Sequence, residues 1–328
     1  MKDLLDKYKN YKITHDVLVK GMYPELIKAR GKKNTRDIVM YSYKWNIHDH
    51  INDHEMNRII HSVSSLRKFN KTIPVYLFCS GTLKHQEDLL IDKYGVTIRQ
   101  FNERDFDHEM LNAWSIHRWY NLKYFSDHTT GIRKTDYSIL YVDCDTIFYD
   151  DVQYLFNTYC THDVYGREEI GFRHCPITGS NKNIRFSLDV VDAAIYASGG
   201  RSHMYKYCTG VVMLNNNLHV RITENINSLT QIMEDLKTGK AFNPMPNPRI
   251  LDQYGVWLLL SKLEATCGLF GIQDVTHSYM EAKHQEYFNP VVLHYTTKDE
   301  QEFAKSDIKY HNLIRDTEEL GPEIDPYY

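Results

Sequence analysis

Strand-like and helix-like segments alternate along the first half of the chain. Runs rich in β-branched and aromatic residues predict strands at 37–45, 73–81 and 96–101. Between the first two strands, a helix is predicted to begin near Asn52 or Asp53. Its apolar positions recur at intervals of three and four residues and are Met56, Ile59, Ile60, Val63 and Leu66.

The order of these segments constrains the fold. A second helix is predicted at 84–95, with Gly95 at its end, so strands and helices alternate as they do in a parallel sheet covered on both faces. A fourth strand-like run, YSILYVDCDTIF at 137–148, carries Asp143 and Asp145. Because ligands bind beyond the carboxyl ends of strands in such sheets, we expect these aspartates on a ligand-binding edge.

Asp143 and Asp145 are separated by one residue, so their side chains share a face if the strand continues through them. Two neighbouring carboxylates repel each other unless a cation or a proton lies between them. Their hard oxygen atoms suit Mg²⁺ or Mn²⁺, usually shared with a phosphate group. The alternative is structural, with two loop carboxylates that cap a helix or bind Lys and Arg. The apolar residues on both sides favour the functional interpretation.

The segment 137–148 resembles the DxD segment of GT-A-fold glycosyltransferases. Three further segments are similar to that family in the same order. They are CTGVVMLNNN (208–217), ILDQYGVWLL (250–259) and VVLHYTTKD (291–299), the last resembling the late histidine strand of glycogenin-like enzymes. The resemblance covers residues 37–300. It implies an α/β, Rossmann-like GT-A fold with a mixed, mainly parallel central sheet and helices on both faces.

The resemblance implies a metal-dependent glycosyltransferase (a hexosyl- or pentosyltransferase). The donor would be a nucleotide-diphosphate sugar, most readily a UDP-sugar, and the acceptor a hydroxyl group on a glycan, protein or lipid. Asp145 would be a direct metal ligand, Asp143 would bind the metal, the ribose or both, and His294 would be a third ligand. An imidazole suits Mn²⁺ better than Mg²⁺, so we expect manganese. The alternative for His294 is a half-buried strand histidine bonded to the backbone.

Other residues take implied roles in donor binding. The first strand ends where the family places the nucleobase, which assigns Tyr41, Ser42 and Tyr43 to it, and Tyr43 could stack on a uracil. Four basic residues precede the DxD motif, namely Arg118, Lys123, Arg133 and Lys134. We assign Arg133 and Lys298 to the diphosphate. The competing interpretations are core tyrosines and solvated basic side chains.

The remaining implied residues would face the sugar and the acceptor. Asp252 and Gln253 are the catalytic candidates: Asp252 is a general base if the enzyme inverts, and either residue steadies the anomeric centre if it retains. A carboxylate at a helix N-terminus is the structural alternative for Asp252. Thr209 and Gly210 would let the acceptor approach the backbone. Two positions depart from the family pattern, since Cys208 replaces Asn or Ser and no glycine follows His294 before Lys298.

Two other functions fit parts of the sequence. The DxDT segment also resembles the first motif of haloacid-dehalogenase-type phosphatases. However, three strands precede it here, and we find no later Gly/Ser-Asp-x-x-x-Asp to complete a metal site. An inactive sugar-nucleotide-binding protein is the third interpretation, although its expected signature, the loss of DxD, is not seen.

Charge and composition limit the partners. The formal net charge of −4 gives no basic field for nucleic acid. We divide the chain into a Lys-rich helical lead-in (1–36), the GT-A domain (37–300) and an acidic tail (301–328). No run reaches the ~20 apolar residues of a membrane-spanning helix, and no signal peptide is evident. With six scattered cysteines and no CxxC pair, we expect a cytoplasmic protein or one at the cytosolic face of a membrane.

Overall fold

The computed structural model describes most of the predicted catalytic domain. The described residues are 35–44, 52–80, 89–101, 118, 119, 121, 122, 125, 136–168, 207–238, 251–271, 273–276 and 290–294. The predicted lead-in, except for its last two residues, lies outside them, as do the acidic tail, Arg133 and Lys298.

The first half of the sheet has the predicted parallel arrangement. Strand β1 (Thr35–Lys44) pairs with β2 (Val75–Ser80), which pairs with β3 (Val96–Phe101), and both pairings are parallel. Helix α1 (Asn52–Phe69) connects β1 to β2. All five of its predicted apolar positions are buried, which confirms the periodicity. Strand β1 begins at Thr35, two residues before the start predicted for it.

The second half of the sheet adds antiparallel strands. Strand β4 (Asp136–Val142) lies parallel to β1 on its other side. The next strand, β7 (Tyr207–Leu214), runs antiparallel to β4 and to β6 (Val164–Glu168), and β8 (Cys267–Leu269) is parallel to β6. The order is β3-β2-β1-β4-β7-β6-β8, a mixed, mainly parallel sheet as predicted.

A second, three-stranded sheet brings the end of the domain to the DxD segment. It contains β5 (Thr146–Phe148), β9 (Val275–Thr276) and β10 (Val292–His294), with β10 in the middle. Strands β5 and β10 are antiparallel, and His294 is paired with Thr146. The chain therefore passes from the large sheet to the small one at residues 143–145.

The helices depart in places from the sequence pattern. They are a π-helical turn Leu89–Lys93, α2 (Gln153–Thr158), α3 (Leu218–Glu224), α4 (Ile226–Thr238) and α5 (Leu251–Lys262). Two separate helices, α3 and α4, follow β7, and only Asn225 lies between them. The predicted Gly95 stop is confirmed, because Gly95 has a φ of 60°, which glycine adopts without steric cost.

Two apolar cores cover the opposite faces of the central sheet. One contains Trp119 and Trp257 with α3, α4 and α5, and the other contains α1, α2 and the small sheet. Alternate residues of β4 point to each core, with Tyr141 in the first and Val142 in the second. The site at the end of β4 is thus supported from both faces.

Strand β6 (Val164–Glu168) extends the central sheet beyond β7. Among the described residues, no helix combines the length and apolar composition needed to cross a membrane.

Burial of His219 on α3 predicts a pH-dependent stability. Its ring packs edge-on against Phe125 and Tyr137, and its Nδ1 has no hydrogen-bond partner among the described residues. Burial lowers the pKa of His219 from 6.5 to about 4. The unfolded chain therefore takes up this proton first, so stability is full above pH 6.5 and falls as the pH drops towards 4.

We expect this single group to cost about 2 kcal/mol of unfolding free energy between pH 7 and pH 5. Urea unfolding of wild type and His219→Phe at both pH values measures the effect. The variant should lose less stability than wild type by about that amount, and parallel losses in the two proteins would contradict the assignment.

Candidate active site

The DxD segment is a crossing between two sheets and not the end of one strand. Strand β4 ends at Val142, and the N–H of Asp143 donates to the carbonyl oxygen of Gly210 at 2.7 Å. The hydroxyl of Thr146 donates to the carbonyl oxygen of Asp143 at 2.8 Å. The condition for strand alternation, a strand that continues through both aspartates, is therefore not met, and hydrogen bonds from both sheets shape this turn instead.

This crossing nevertheless brings three predicted residues together. One ligand atom from each of Asp143, Asp145 and His294 lies within 4.8 Å of the other two. The Nε2 atom of His294 is 3.2 Å from Oδ1 of Asp145 and 4.0 Å from Oδ2 of Asp143. Both carboxylates are partly accessible, with side-chain exposures of 24% for Asp143 and 21% for Asp145, so a ligand can reach them.

The spacing of these atoms fits one divalent cation. Two ligand atoms held at about 2.1 Å from an octahedral ion lie roughly 3 Å apart when adjacent and roughly 4.2 Å apart when opposite. The distances from the His294 nitrogen, 3.2 and 4.0 Å, fall in that range. Two carboxylates and an imidazole are a donor set suited to Mn²⁺.

The ring of His294 is held by strand β7. It packs directly on Gly210, where a Cβ atom would lie 2.5 Å from Nε2 and 2.7 Å from Nδ1. The Nδ1 atom is 3.7 Å from the sulfur of Cys208, and that sulfur accepts the N–H of Gly210 at 3.4 Å. Gly210 therefore supports the histidine with its Cα and Asp143 with its carbonyl oxygen.

The charges of His294 and Asp145 depend on each other. Burial alone would lower the pKa of His294, but the carboxylate of Asp145, with a smaller contribution from Cys208, raises it to about 10. Burial alone would raise the pKa of Asp145, yet the charge of His294, a hydrogen bond from its ring and the charge of Arg58 on α1 lower it overall. Without a bound cation, the histidine proton thus balances the negative charge of Asp145.

Arg118 is a site residue that sequence reasoning ranked too low. Its Nη1 is 3.3 Å from Oδ1 of Asp143 and donates to the carbonyl oxygen of Thr209 at 2.8 Å. Its guanidinium lies over the ring of Tyr141, 5.3 Å from the centroid. Arg133, the residue assigned from sequence, lies outside the described residues. The signal available was the place of Arg118 among the four basic residues that precede the DxD motif.

The two tyrosines of β1 are buried. Tyr41 is fully buried, and its hydroxyl bonds to Ser62 at 2.8 Å, which in turn bonds to Thr146 at 2.7 Å. Burial raises the pKa of Tyr41 well above its ordinary value. Tyr43 is also buried. The core alternative therefore suits Tyr41, whose hydroxyl supports the turn at Asp143 through Thr146.

Ser42 points to the opposite face of β1 and accepts a hydrogen bond from the side-chain amide of Asn121. It is only half-buried, unlike its two tyrosine neighbours. This places Ser42 beside Asn121, three residues after Arg118 in the chain.

Thr209 and Gln253 form a contact between β7 and α5. The carbonyl oxygen Oε1 of Gln253 accepts the backbone N–H of Thr209 at 3.2 Å and its hydroxyl at 3.4 Å. Gln253 is buried at 6% exposure. A backbone N–H can only donate, so this contact fixes which side of the amide is the oxygen. Asp252 lies at the start of α5, and its side chain is outside the described residues.

Comparisons with known proteins give structural likenesses only. No protein-family model matches the sequence, and no curated protein matches it. A crystal structure of the galactosyltransferase LgtC with donor and acceptor sugar analogues aligns with 85% of this chain and 95% of its own, at 15% identity and a TM-score of 0.52. A crystal structure of an active-site mutant of LgtC covers the same shares at 13% identity and a TM-score of 0.53.

A third solved structure is that of a longer protein, of which about half is matched. The bifunctional glycosyltransferase WbbM, in its apo form, aligns with 86% of this chain and 49% of its own, at 14% identity and a TM-score of 0.50. At such identities the likeness concerns the fold. The chain has the GT-A fold that the resemblance implied.

Proposed function

We propose that this chain is a metal-dependent glycosyltransferase that moves a sugar from a nucleotide-diphosphate sugar, in the first instance a UDP-sugar, to a hydroxyl acceptor on a glycan, protein or lipid. The observation that carries the proposal is the convergence of Asp143, Asp145 and His294 at the carboxyl end of β4. The GT-A fold supports it, because ligands bind along this edge of such sheets. We include a cytosolic location in the proposal, since the sequence has six scattered cysteines and no CxxC pair.

The three converging side chains would hold the metal, for which we propose Mn²⁺. When bound, such an ion neutralises the charge that develops on the leaving diphosphate. The imidazole favours Mn²⁺ over Mg²⁺, which prefers oxygen ligands alone. Binding must displace the proton of His294, so affinity for the metal should rise with pH.

Arg118 would keep a fixed positive charge at the donor-binding edge. Its contacts with Asp143, Thr209 and Tyr141 hold the guanidinium in one position, and a preorganised charge costs little reorganisation during reaction. We propose that it orients Asp143 and faces the donor. Arg133 and Lys298 remain proposed diphosphate contacts.

Gln253 would act as a hydrogen-bond donor and not as a base. Its Oε1 is occupied by two donors of Thr209, which leaves the NH₂ group to donate to a sugar hydroxyl. Asp252 remains the proposed general base for an inverting reaction. Ser42 and Tyr43 remain proposed neighbours of the nucleobase at the end of β1, with Thr209 and Gly210 on the acceptor side.

A thermal-shift panel tests this function. UDP, GDP, CMP and their sugars are each added to the full chain with and without Mn²⁺. We expect a rise in Tm with UDP or a UDP-sugar that requires Mn²⁺, since a ligand at a hundredfold excess over Kd stabilises the native state by about 2.7 kcal/mol. Release of UDP from the stabilising UDP-sugar then separates an enzyme from an inactive binding protein.

Other outcomes would contradict the proposal. A shift of equal size without Mn²⁺ removes the metal role. If no nucleotide shifts Tm while Mg²⁺ with beryllium fluoride does, the phosphatase interpretation is correct.

A further inference from the structure

Cys208 lies against the nitrogen of His294 that faces away from the carboxylates. Its sulfur is 3.7 Å from Nδ1, whereas Nε2 faces Asp145. The thiol is buried at 6% exposure and is held in place by the N–H of Gly210. The sulfur therefore has a fixed position beside the ring and little access to solvent.

We propose that Cys208 is a positioning residue of the metal site: its sulfur accepts the Nδ1–H of His294 and so directs the Nε2 lone pair towards Asp143 and Asp145. The inference rests on the proposed metal-dependent function. It assigns a role to Cys208, which is one of the two positions at which the sequence departs from the glycosyltransferase pattern.

The chemistry of a ligating histidine requires such a partner. A neutral imidazole carries one hydrogen, so a metal on Nε2 needs the hydrogen on Nδ1. Metal-bound histidines usually donate that second N–H to a carboxylate, a carbonyl oxygen or water, which fixes the tautomer and the ring orientation. Here the group beside Nδ1 is a thiol sulfur, which is a weaker acceptor than oxygen and makes longer contacts.

Packing alone does not account for the arrangement. Gly210 limits how far the ring can move towards β7, but a glycine has no side-chain acceptor and so does not distinguish the two tautomers. A directional acceptor at Nδ1 is what distinguishes them. Cys208 thus fixes the tautomer of His294, whereas Gly210 fixes the position of its ring.

The test compares Cys208→Ala with Cys208→Ser, which differ by one acceptor oxygen. The dissociation constant of Mn²⁺ is measured at pH 7 by electron paramagnetic resonance of the free ion, on the full chain without nucleotide. We expect Cys208→Ala to weaken Mn²⁺ binding by about ten- to a hundredfold, as loss of such partners does elsewhere, and Cys208→Ser to restore most of the affinity.

Cys79→Ala is the matched control, because Cys79 is a fully buried thiol of the same sheet, on β2. It should lower Tm and leave Mn²⁺ affinity unchanged. If Cys208→Ala behaves like this control, the thiol only fills space and the proposal is wrong.

A measurement on the unsubstituted chain covers the case in which the variants do not fold. Long-range ¹H–¹⁵N spectra with Zn²⁺ bound report which ring nitrogen of His294 carries the hydrogen, and we expect Nδ1. A hydrogen on Nε2 would overturn the inference. Failure of wild type to bind Mn²⁺ overturns the metal site and this inference together, whereas normal binding by Cys208→Ala overturns this inference alone.

Discussion

Asp145→Asn is expected to abolish sugar transfer while leaving the fold intact. The amide keeps the size of the side chain and can still accept a hydrogen bond, but it brings no negative charge to the cation. Losing about 4 kcal/mol or more of electrostatic stabilisation corresponds to a fall in kcat/KM of about a thousandfold or more. Mn²⁺ titration and UDP release from the donor are the two measurements.

The same variant should change the charge of the neighbouring histidine. Burial lowers the pKa of His294 and Asp145 raises it, so removal of the carboxylate charge leaves burial as the main influence. We expect the pKa to fall from about 10 towards or below its ordinary 6.5. An NMR titration of the metal-free protein reads this change without any assay of activity.

Asp150→Asn is the matched control, since Asp150 is an exposed carboxylate in the same part of the chain. It should leave Mn²⁺ affinity, transfer and the pKa of His294 unchanged. Full activity in Asp145→Asn would remove this residue from the metal site, and the proposed mechanism would then lose its central ligand.

Sequence patterns predicted those helices and strands whose structure is determined by residues close together in the chain. Helix α1 and strands β1 to β3 each have a continuous pattern, and the five predicted apolar positions of α1 are buried as expected. Strands β5, β9 and β10 have only two or three residues each, too few for a period to show. They exist because the small sheet pairs distant segments, which no local window of sequence records.

In the candidate site, too, the sequence identified residues but not the long-range contacts that bring them together. Asp143 and Asp145 were found from their motif and His294 from a family resemblance, but the reason they meet is the β5–β10 pairing, which the sequence analysis did not predict. Arg118 and Cys208 act through contacts with residues far along the chain. Gly210, which we assign to the acceptor side, also contacts His294, whose ring occupies the space where a side chain at this position would be.

Gly210→Ala is therefore expected to disrupt the metal site through one methyl group. Its Cβ would lie 2.5 Å from Nε2 of His294, closer than any van der Waals contact permits, so the ring must leave its present position beside Asp145. We expect Mn²⁺ affinity to fall by at least about a hundredfold, and overpacking to cost about 1–3 kcal/mol of unfolding free energy. Mn²⁺ titration and urea unfolding measure the two effects separately.

Gly268→Ala separates steric strain from loss of the site. Its Cβ would lie 2.6 Å from Cδ1 of Tyr165, a similar clash in the same sheet but away from the metal ligands. Both variants should be destabilised, and only Gly210→Ala should lose Mn²⁺ binding. Adding His294→Ala to Gly210→Ala should recover stability, because the clashing ring is gone, without recovering the metal. If Gly210→Ala instead binds Mn²⁺ as wild type does, the ring has another position from which it can act as a ligand, and the support assigned to β7 is wrong.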